Sequence, residues 1–294
     1  MSHSTPASTP SSPTPAPEPS RSSSPSSSSP ETRGRSTTVA AVAAQLRAAG
    51  CVFAEEEAGM LLDAASGPAD LAARVARRAS GVPLEHVVGW AEFAGHRIAV
   101  DPGVFVPRRR TELLVRQALR RARPGAVVLD LCCGSGAIGT VLAAESAGAE
   151  LHAADLDPAA VRCARRNIAP YGGTAYEGDL FDPLPDHLRG RVDLLAANMP
   201  YVPTADVPLL PAEARDHEAL LALDGGPDGL DVLRRVLAQA PRWLAPGGAL
   251  LFEISDRQTA PAVAAVRAAG LEPRVATDEE AYATVVTGVR PRGR

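Results

Sequence analysis

The chain contains no lysine: its 30 basic residues are all arginine, set against 34 acidic residues and a net charge of -4. No global basic field covers the molecule, which argues against nucleic acid as its partner. Cysteine is scarce, at positions 51, 132, 133 and 163 only. These residues form no C-x-x-C pair and no Cys/His cluster at zinc spacing, so no metal is expected. A reduced, cytoplasmic setting fits them best. Aromatic residues are 4% of the chain, and no aromatic, basic module for reading bases stands out. No apolar run approaches the roughly 18 to 20 residues needed to span a bilayer. The N-terminus lacks the apolar core of a signal peptide, so no membrane association is expected. What is present is ordinary: 294 residues, 45% hydrophobic, enough for one large domain or two smaller ones. The absence of lysine together with richness in Ala, Gly and Pro points to a GC-rich coding sequence rather than to a function.

Residues 1–36 are almost wholly Ser, Pro, Thr and Ala. They cannot bury enough apolar surface to offset their ordering entropy and read as a disordered tail. Residues 37–82 carry helical spacing, with Val39, Val42 and Leu46 before a stop at Gly50, and an acidic start at Glu55-Glu56-Glu57. Residues 83–107 contain two short strand patterns around Gly95, a hairpin linker. From Gly125 onward strands and helices alternate, which predicts an α/β, Rossmann-like, doubly wound seven-stranded sheet over residues 108–294. Two adjacent strands, 271–276 and 282–287, close the chain and predict an antiparallel edge strand.

The apolar run Val192–Ala197 reads as a buried strand and ends in Asn198-Met199-Pro200-Tyr201. Those residues suit a planar –NH2 group. Asn198 offers a side-chain carbonyl and Met199 a main-chain carbonyl, Pro200 stiffens the turn, and Tyr201 offers a ring face. An ordinary strand-to-loop turn would use the same residue types. Upstream, Gly134-Ser135-Gly136-Ala137-Ile138-Gly139 matches G-x-G-x-x-G between a strand and a helix, with Asp155 ending the next strand. Asp130 ends the first strand, ahead of Cys132 and Cys133. It would repel a pyrophosphate but suits a ligand bearing an ammonium group. Asp179, followed by Leu180, ends the third strand, where it can accept from an adenine amine. Three acids at successive strand ends, with no base in the glycine loop, fit S-adenosyl-L-methionine.

Together, Asp130 to Gly139, Asp155, Asp179 and the Asn-Met-Pro-Tyr motif resemble a class I methyltransferase. Pro83 to Phe93, Phe105 to Glu112, Arg215 to Glu218 and Leu221 to Leu230 resemble the HemK/PrmC-type protein glutamine methyltransferases. The resemblance runs from about residue 37 to 294. It implies a helical substrate-docking domain (37–82), the hairpin linker (83–107) and an S-adenosylmethionine-dependent methyltransferase domain (108–294); a monomer is expected. It implies methylation of a glutamine side-chain amide in a protein, best known in peptide-chain release factors. It also implies that Asp155 binds the ribose, Asp179 and Leu180 the adenine, and Cys132, Cys133, Gly134, Ser135 and Gly136 the methionine part. Three positions depart from the family: Met199 replaces the first Pro of Asn-Pro-Pro-Tyr, Cys132 replaces a loop glycine, and Arg109 replaces the Pro after Arg108. A divergent branch is the reading.

No catalytic histidine is expected: His86, His96 and His217 read as structural or solvated. Cys132-Cys133 reads as a pair of small loop-facing side chains rather than a redox pair, and Arg108-Arg109-Arg110 as a solvated face or the partner of acids. Three other functions stay open. A nucleic-acid adenine or cytosine N-methyltransferase would use the same amine cradle. A non-catalytic binding module would keep the fold alone. An NAD-dependent dehydrogenase would account for the glycine motif by itself.

Overall fold

The computed structural model describes residue 1 and residues 30–293. Two compact units are distinguished, Met1–Thr38 and Val39–Arg294. The first carries the opening of helix α1 (Pro30–Ala48), which therefore starts inside the stretch expected to be tail. The rest of that expectation lies outside the described residues.

The second unit begins with a helical module: the remainder of α1, α2 (Ala54–Ala64), α3 (Pro68–Ala79) and the short α4 (Leu84–Val88). Val42, Leu46, Ala58, Leu61, Val75 and Val87 form its own buried cluster. Strands β1 (Trp90–Phe93) and β2 (His96–Ala99) form the antiparallel hairpin. Its tip residues Ala94 and Gly95 both have positive φ, 49° and 78°. That is the backbone of a two-residue turn whose twist matches the strands.

The sheet contains β3 (Val127–Leu131), β4 (Glu150–Asp155), β5 (Thr174–Glu177), β6 (Val192–Ala197), β7 (Leu244–Ile254), β8 (Glu272–Asp278) and β9 (Ala283–Val289). Their order is β5-β4-β3-β6-β7-β9-β8. Helices α5 (Glu112–Leu119), α6 (Ala137–Glu145), α7 (Pro158–Ile168), α8 (Ala212–His217), α9 (Asp231–Trp243) and α10 (Thr259–Ala268) complete the chain. The central strands are buried along their length, β3 at every position, because parallel strands covered on both faces have no solvent side. Two apolar clusters form the core, one built on Leu129, Leu131, Phe181, Trp243 and Phe252, the other on Leu114, Val128, Val141, Leu151 and Leu251.

Strands β3 to β7 are mutually parallel, while β9 is antiparallel to both β7 and β8. The reversed strand therefore lies one place in from the edge, not at the edge as expected. The closing hairpin inserts its second strand beside β7 and leaves its first outside. Strand order reverses between β3 and β6, the switch point at which the carboxyl ends of such sheets open a crevice.

Candidate functional site

Four consecutive strand ends converge on that crevice. A cleft opens there, in the place where α/β sheets take small molecules. Cys132 to Ser135 after β3, Asp155 and Leu156 after β4, Asp179 and Leu180 after β5, and Asn198 and Pro200 after β6 all line it. Phe105 and Thr111 close one side; Leu221, Ala222, Val232 and Arg235 close another.

The glycine loop is held from below. Asp155 Oδ2 accepts from the Gly134 N–H at 2.8 Å, and its Oδ1 accepts from the Asp157 N–H at 2.9 Å. Burial raises the Asp155 carboxyl above its ordinary range, against the lowering by these backbone bonds. The loop backbone is bent into the left-handed region at Cys132 (φ 55°), Gly134 (55°) and Gly136 (74°). At Gly136 an added Cβ would press on Ala164 Cβ at 3.0 Å and Ile168 Cγ2 at 3.3 Å, so this glycine serves the packing of α6 on α7 rather than the cleft. Cys132 adopts the same conformation with a side chain, a cost of roughly 1–2 kcal/mol. Leu180, at φ 50°, is a second such residue facing the cleft. Burial raises the thiol pKa of both Cys132 and Cys133, so neither is a thiolate at neutral pH and no disulfide joins them.

Asp130 departs from its expected place. It is fully buried and does not line the cleft. Its Oδ2 accepts from the Gly139 N–H at 2.8 Å, pinning the first turn of α6, while Oδ1 has no partner among the described residues. Burial pushes its carboxyl up to about 8. Sequence spacing does not reveal on which side of the strand end the carboxylate falls. Gly136 likewise sits behind the loop. Asp179 does line the cleft, but its Oδ2 is taken by Arg235 from α9. That arginine is a cleft residue which the loop sequences gave no means of finding.

A second cavity adjoins the first, lined by Met199, Tyr201, Arg108, Arg110, Leu210, Pro211, Glu213 and Ala214 among others. Phe105, Asn198 and Ala222 line both, so Asn198 stands at the junction. Its amide nitrogen donates to Thr111 Oγ1 at 3.4 Å. Thr111 in turn donates to Glu253 Oε2 at 2.7 Å. Glu253 Oε1 accepts from Tyr201 O–H at 2.6 Å and from Arg110 Nε–H at 2.8 Å. The Arg110 guanidinium also lies over the Tyr201 ring, 5.7 Å from its centroid. Engagement of Nδ2 by Thr111 leaves Asn198 Oδ1 as the available acceptor. Burial and the adjacent Glu253 carboxylate both raise the Tyr201 hydroxyl pKa, keeping it protonated. Tyr201 is thus tethered in the second cavity by its hydroxyl, and Met199 is nearly fully buried against the core.

Glu253 and Thr111 were missed in the sequence, and Arg110 was read only as a candidate acid partner. The available signal was an acid inside the apolar strand Ala249–Ile254, since an unpaired carboxylate is rarely buried. Arg108 similarly pairs with buried Glu218 at 2.5 Å. The flap from Val202 to Asp224 is closed at its base by Val202 N–H to Leu223 O at 3.1 Å and Gly225 N–H to Val202 O at 2.8 Å. Gln258 Nε2 donates to the Tyr201 carbonyl at 2.8 Å, and only a glycine at position 229 leaves room for that contact. Glu213 of α8 joins Arg78 and Glu57 in an ion-pair cluster, the nearest oxygen of each carboxylate lying 2.6 Å from Arg78. The helical module is thereby tied to the rim of the second cavity. None of His86, His96 and His217 lines either cavity; His86 Nε2 is bound to the Val104 carbonyl and His96 Nε2 to Glu145. Elsewhere, one set of Glu and His side chains comes together that linear spacing had not brought to notice: Glu150, His152 and His187.

Comparisons with known proteins show which family the chain resembles. A family model described as Methyltransferase small domain matches residues 95–209. The release factor glutamine methyltransferase of Geobacter sulfurreducens is 44% identical over 196 residues, 65% of this chain and 68% of that protein. The 4-amino-L-phenylalanine/4-methylamino-L-phenylalanine methyltransferase of Streptomyces pristinaespiralis is 40% identical over 203 residues, 67% of this chain and 69% of that one. Among solved structures, a methyltransferase from Pyrococcus furiosus superposes with a TM-score of 0.52 at 16% identity. That match covers 76% of this chain and 100% of the other, and it speaks to the fold alone. No helix among the described residues is long and apolar enough to cross a membrane.

Proposed function

Because this chain belongs to the release factor glutamine methyltransferase family, we propose that it transfers a methyl group to the side-chain amide nitrogen of a glutamine in a peptide-chain release factor. The observation that carries the reading is the place of Asn198, between two cavities and with its carbonyl oxygen uncommitted.

S-Adenosyl-L-methionine fits the first cleft. Support comes from the carboxylates at the ends of β4 and β5, which line this cleft and would offer acceptors to ribose and adenine donors, with Leu156, Leu180 and Val232 as apolar walls. The glycine loop allows a ligand close to the backbone. Beneath it, the buried Asp130 carboxyl would be favoured in its charged form by an ammonium group bound in the cleft. When bound, this cofactor supplies an electrophilic methyl group on a sulfonium.

The rest of the chemistry falls to the protein. An amide nitrogen is a weak nucleophile because its lone pair is delocalised. Asn198 Oδ1 and the Met199 carbonyl accept its two hydrogens and turn the nitrogen toward the cleft. Positioning and preorganised dipoles supply the acceleration. The network from Thr111 through Glu253 to Tyr201 and Arg110 holds Asn198 and the Tyr201 ring, which packs on the planar amide. Phe105 and Leu221 shield the junction from water. The helical module, with exposed Val52 (83%) and Phe53 (65%) at the loop between α1 and α2, serves as the docking surface for the protein substrate. The chain acts as a monomer in the cytoplasm.

The test is transfer of labelled methyl to a purified release factor, with total RNA and 4-amino-L-phenylalanine as parallel acceptors. Label that disappears when the acceptor glutamine is replaced is the expected result. Label confined to either other acceptor would overturn it.

A further inference from the structure

We propose that Glu150, His152 and His187 form a binding site for one divalent transition-metal ion of the zinc type, separate from the methyl-transfer cleft. Their ligand atoms all lie within 4.8 Å of one another. Glu150 and His152 sit two residues apart on β4, a spacing that puts both side chains on one face of the sheet. His152 Nε2 and Glu150 Oε1 are 3.1 Å apart. A tetrahedral zinc ion with bonds of about 2.0–2.1 Å separates its ligand atoms by roughly 3.3 Å, so these two need hardly move.

Two further features belong to a built site. His152 is buried, and its other ring nitrogen, Nδ1, lies 3.0 Å from the Tyr176 hydroxyl of β5. Metal-ligating histidines nearly always have such a partner, which fixes the tautomer and the ring. With the proton on Nδ1 and donated to Tyr176 Oη, Nε2 presents its lone pair; no electron is transferred and only the tautomer changes. Glu150 is oriented too, because its Oε2 accepts from Arg191 at 2.9 Å, which leaves Oε1 for the ion. His187 supplies the third ligand from the turn Asp186–Leu188. Its neighbour Leu188 is fully buried and anchors that turn, while the His187 ring itself is exposed and rotates to complete the set. Two imidazoles and a carboxylate suit zinc, nickel or copper(II) better than calcium or magnesium. A fourth position remains for water. The ion would clip β4 to the turn before β6, with Tyr176 of β5 held behind His152.

Untagged full-length protein, stripped with a chelator, is titrated with Zn2+ by calorimetry and with Co2+ by visible absorption. One equivalent is expected, with nitrogen- and oxygen-type tetrahedral Co2+ bands. His187→Ala should weaken binding by at least about tenfold, as should Glu150→Gln, while His96→Ala should leave it unchanged. Zn2+ should raise the Tm of the parent and not that of His187→Ala, whose metal-free Tm should match the parent's because the side chain is exposed. Equal binding by parent and His187→Ala, no binding by the parent, or a thiolate charge-transfer band placing Co2+ on cysteine would each overturn the proposal.

Discussion

Glu253→Gln is the substitution that best separates positioning from packing at this site. The carboxylate is 1% exposed and accepts from three donors: Tyr201 O–H at 2.6 Å, Thr111 O–H at 2.7 Å and Arg110 Nε–H at 2.8 Å. Glutamine keeps the volume but provides one acceptor oxygen and one –NH2 group. Arg110 has no acceptor to offer, so the amide oxygen must face it and Tyr201, and the –NH2 must face Thr111. The Thr111 hydroxyl then rotates to accept, and its grip on Asn198 changes with it. Hydrogen bonds to a charged group contribute about 1.5–3 kcal/mol. Two of the three survive in weaker, neutral-acceptor form. The Arg110 side chain is 44% exposed, so water screens most of the weakening of its bond. A stability loss of about 1–3 kcal/mol follows, measured by denaturant unfolding. The released Asn198 amide should cost roughly 10- to 100-fold in kcat, equivalent to about 1.4–2.7 kcal/mol of activation free energy. Glu253 does not line the cofactor cleft, so affinity for S-adenosylmethionine should be unchanged. A stability loss with kcat within twofold of the parent would show the network to be structural only. A defect confined to cofactor affinity would refute the assignment of Asn198 to the acceptor.

Asp130 makes stability depend on pH. Its folded pKa, pushed up to about 8, lies above the ordinary carboxylate value, so the folded state holds a proton that the unfolded state has released. Stability therefore falls as pH rises from about 4 to about 8, by about 2–3 kcal/mol between pH 6 and 8 in cofactor-free protein. Asp130→Asn should flatten that slope in pH-dependent denaturation, and an unchanged slope would refute it. At Cys132, held at φ 55°, replacement by Gly should leave stability within about 1 kcal/mol of the parent, with cofactor affinity intact. Cys132→Val should cost more than Cys132→Gly, since a β-branched side chain tolerates positive φ poorly; thermal melts of the two variants check the order.

What could be read in advance was whatever depends on local pattern. Alternating apolar runs and glycine stops announced β3 to β7 and the helices α6, α7 and α9 between them, but not the short α8. The glycine loop, Asp155, Asp179 and Asn198 fell at strand ends because a parallel sheet aligns those ends. What depends on side-chain direction or distant partners was not legible. Asp130 was taken for a cofactor contact, but its carboxylate turns under the loop to Gly139. Arg235 meets Asp179 from a helix 56 residues away. Glu253 lies within an apolar strand and looked like part of its core run; its role emerges only when Thr111, Arg110 and Tyr201 arrive from three other segments. Glu150, His152 and His187 were passed over for the same reason, because spacing rules look for ligands close in sequence.

The central claim is that Asn198 presents an amide to the methyl donor. It is tested most directly by the rate of labelled-methyl transfer to a release factor by Asn198→Ala, measured on protein shown to be folded. Transfer reduced by at least about 100- to 1,000-fold, with the melting temperature and overall fold kept, is the predicted result. Near-normal turnover in that variant would contradict the account.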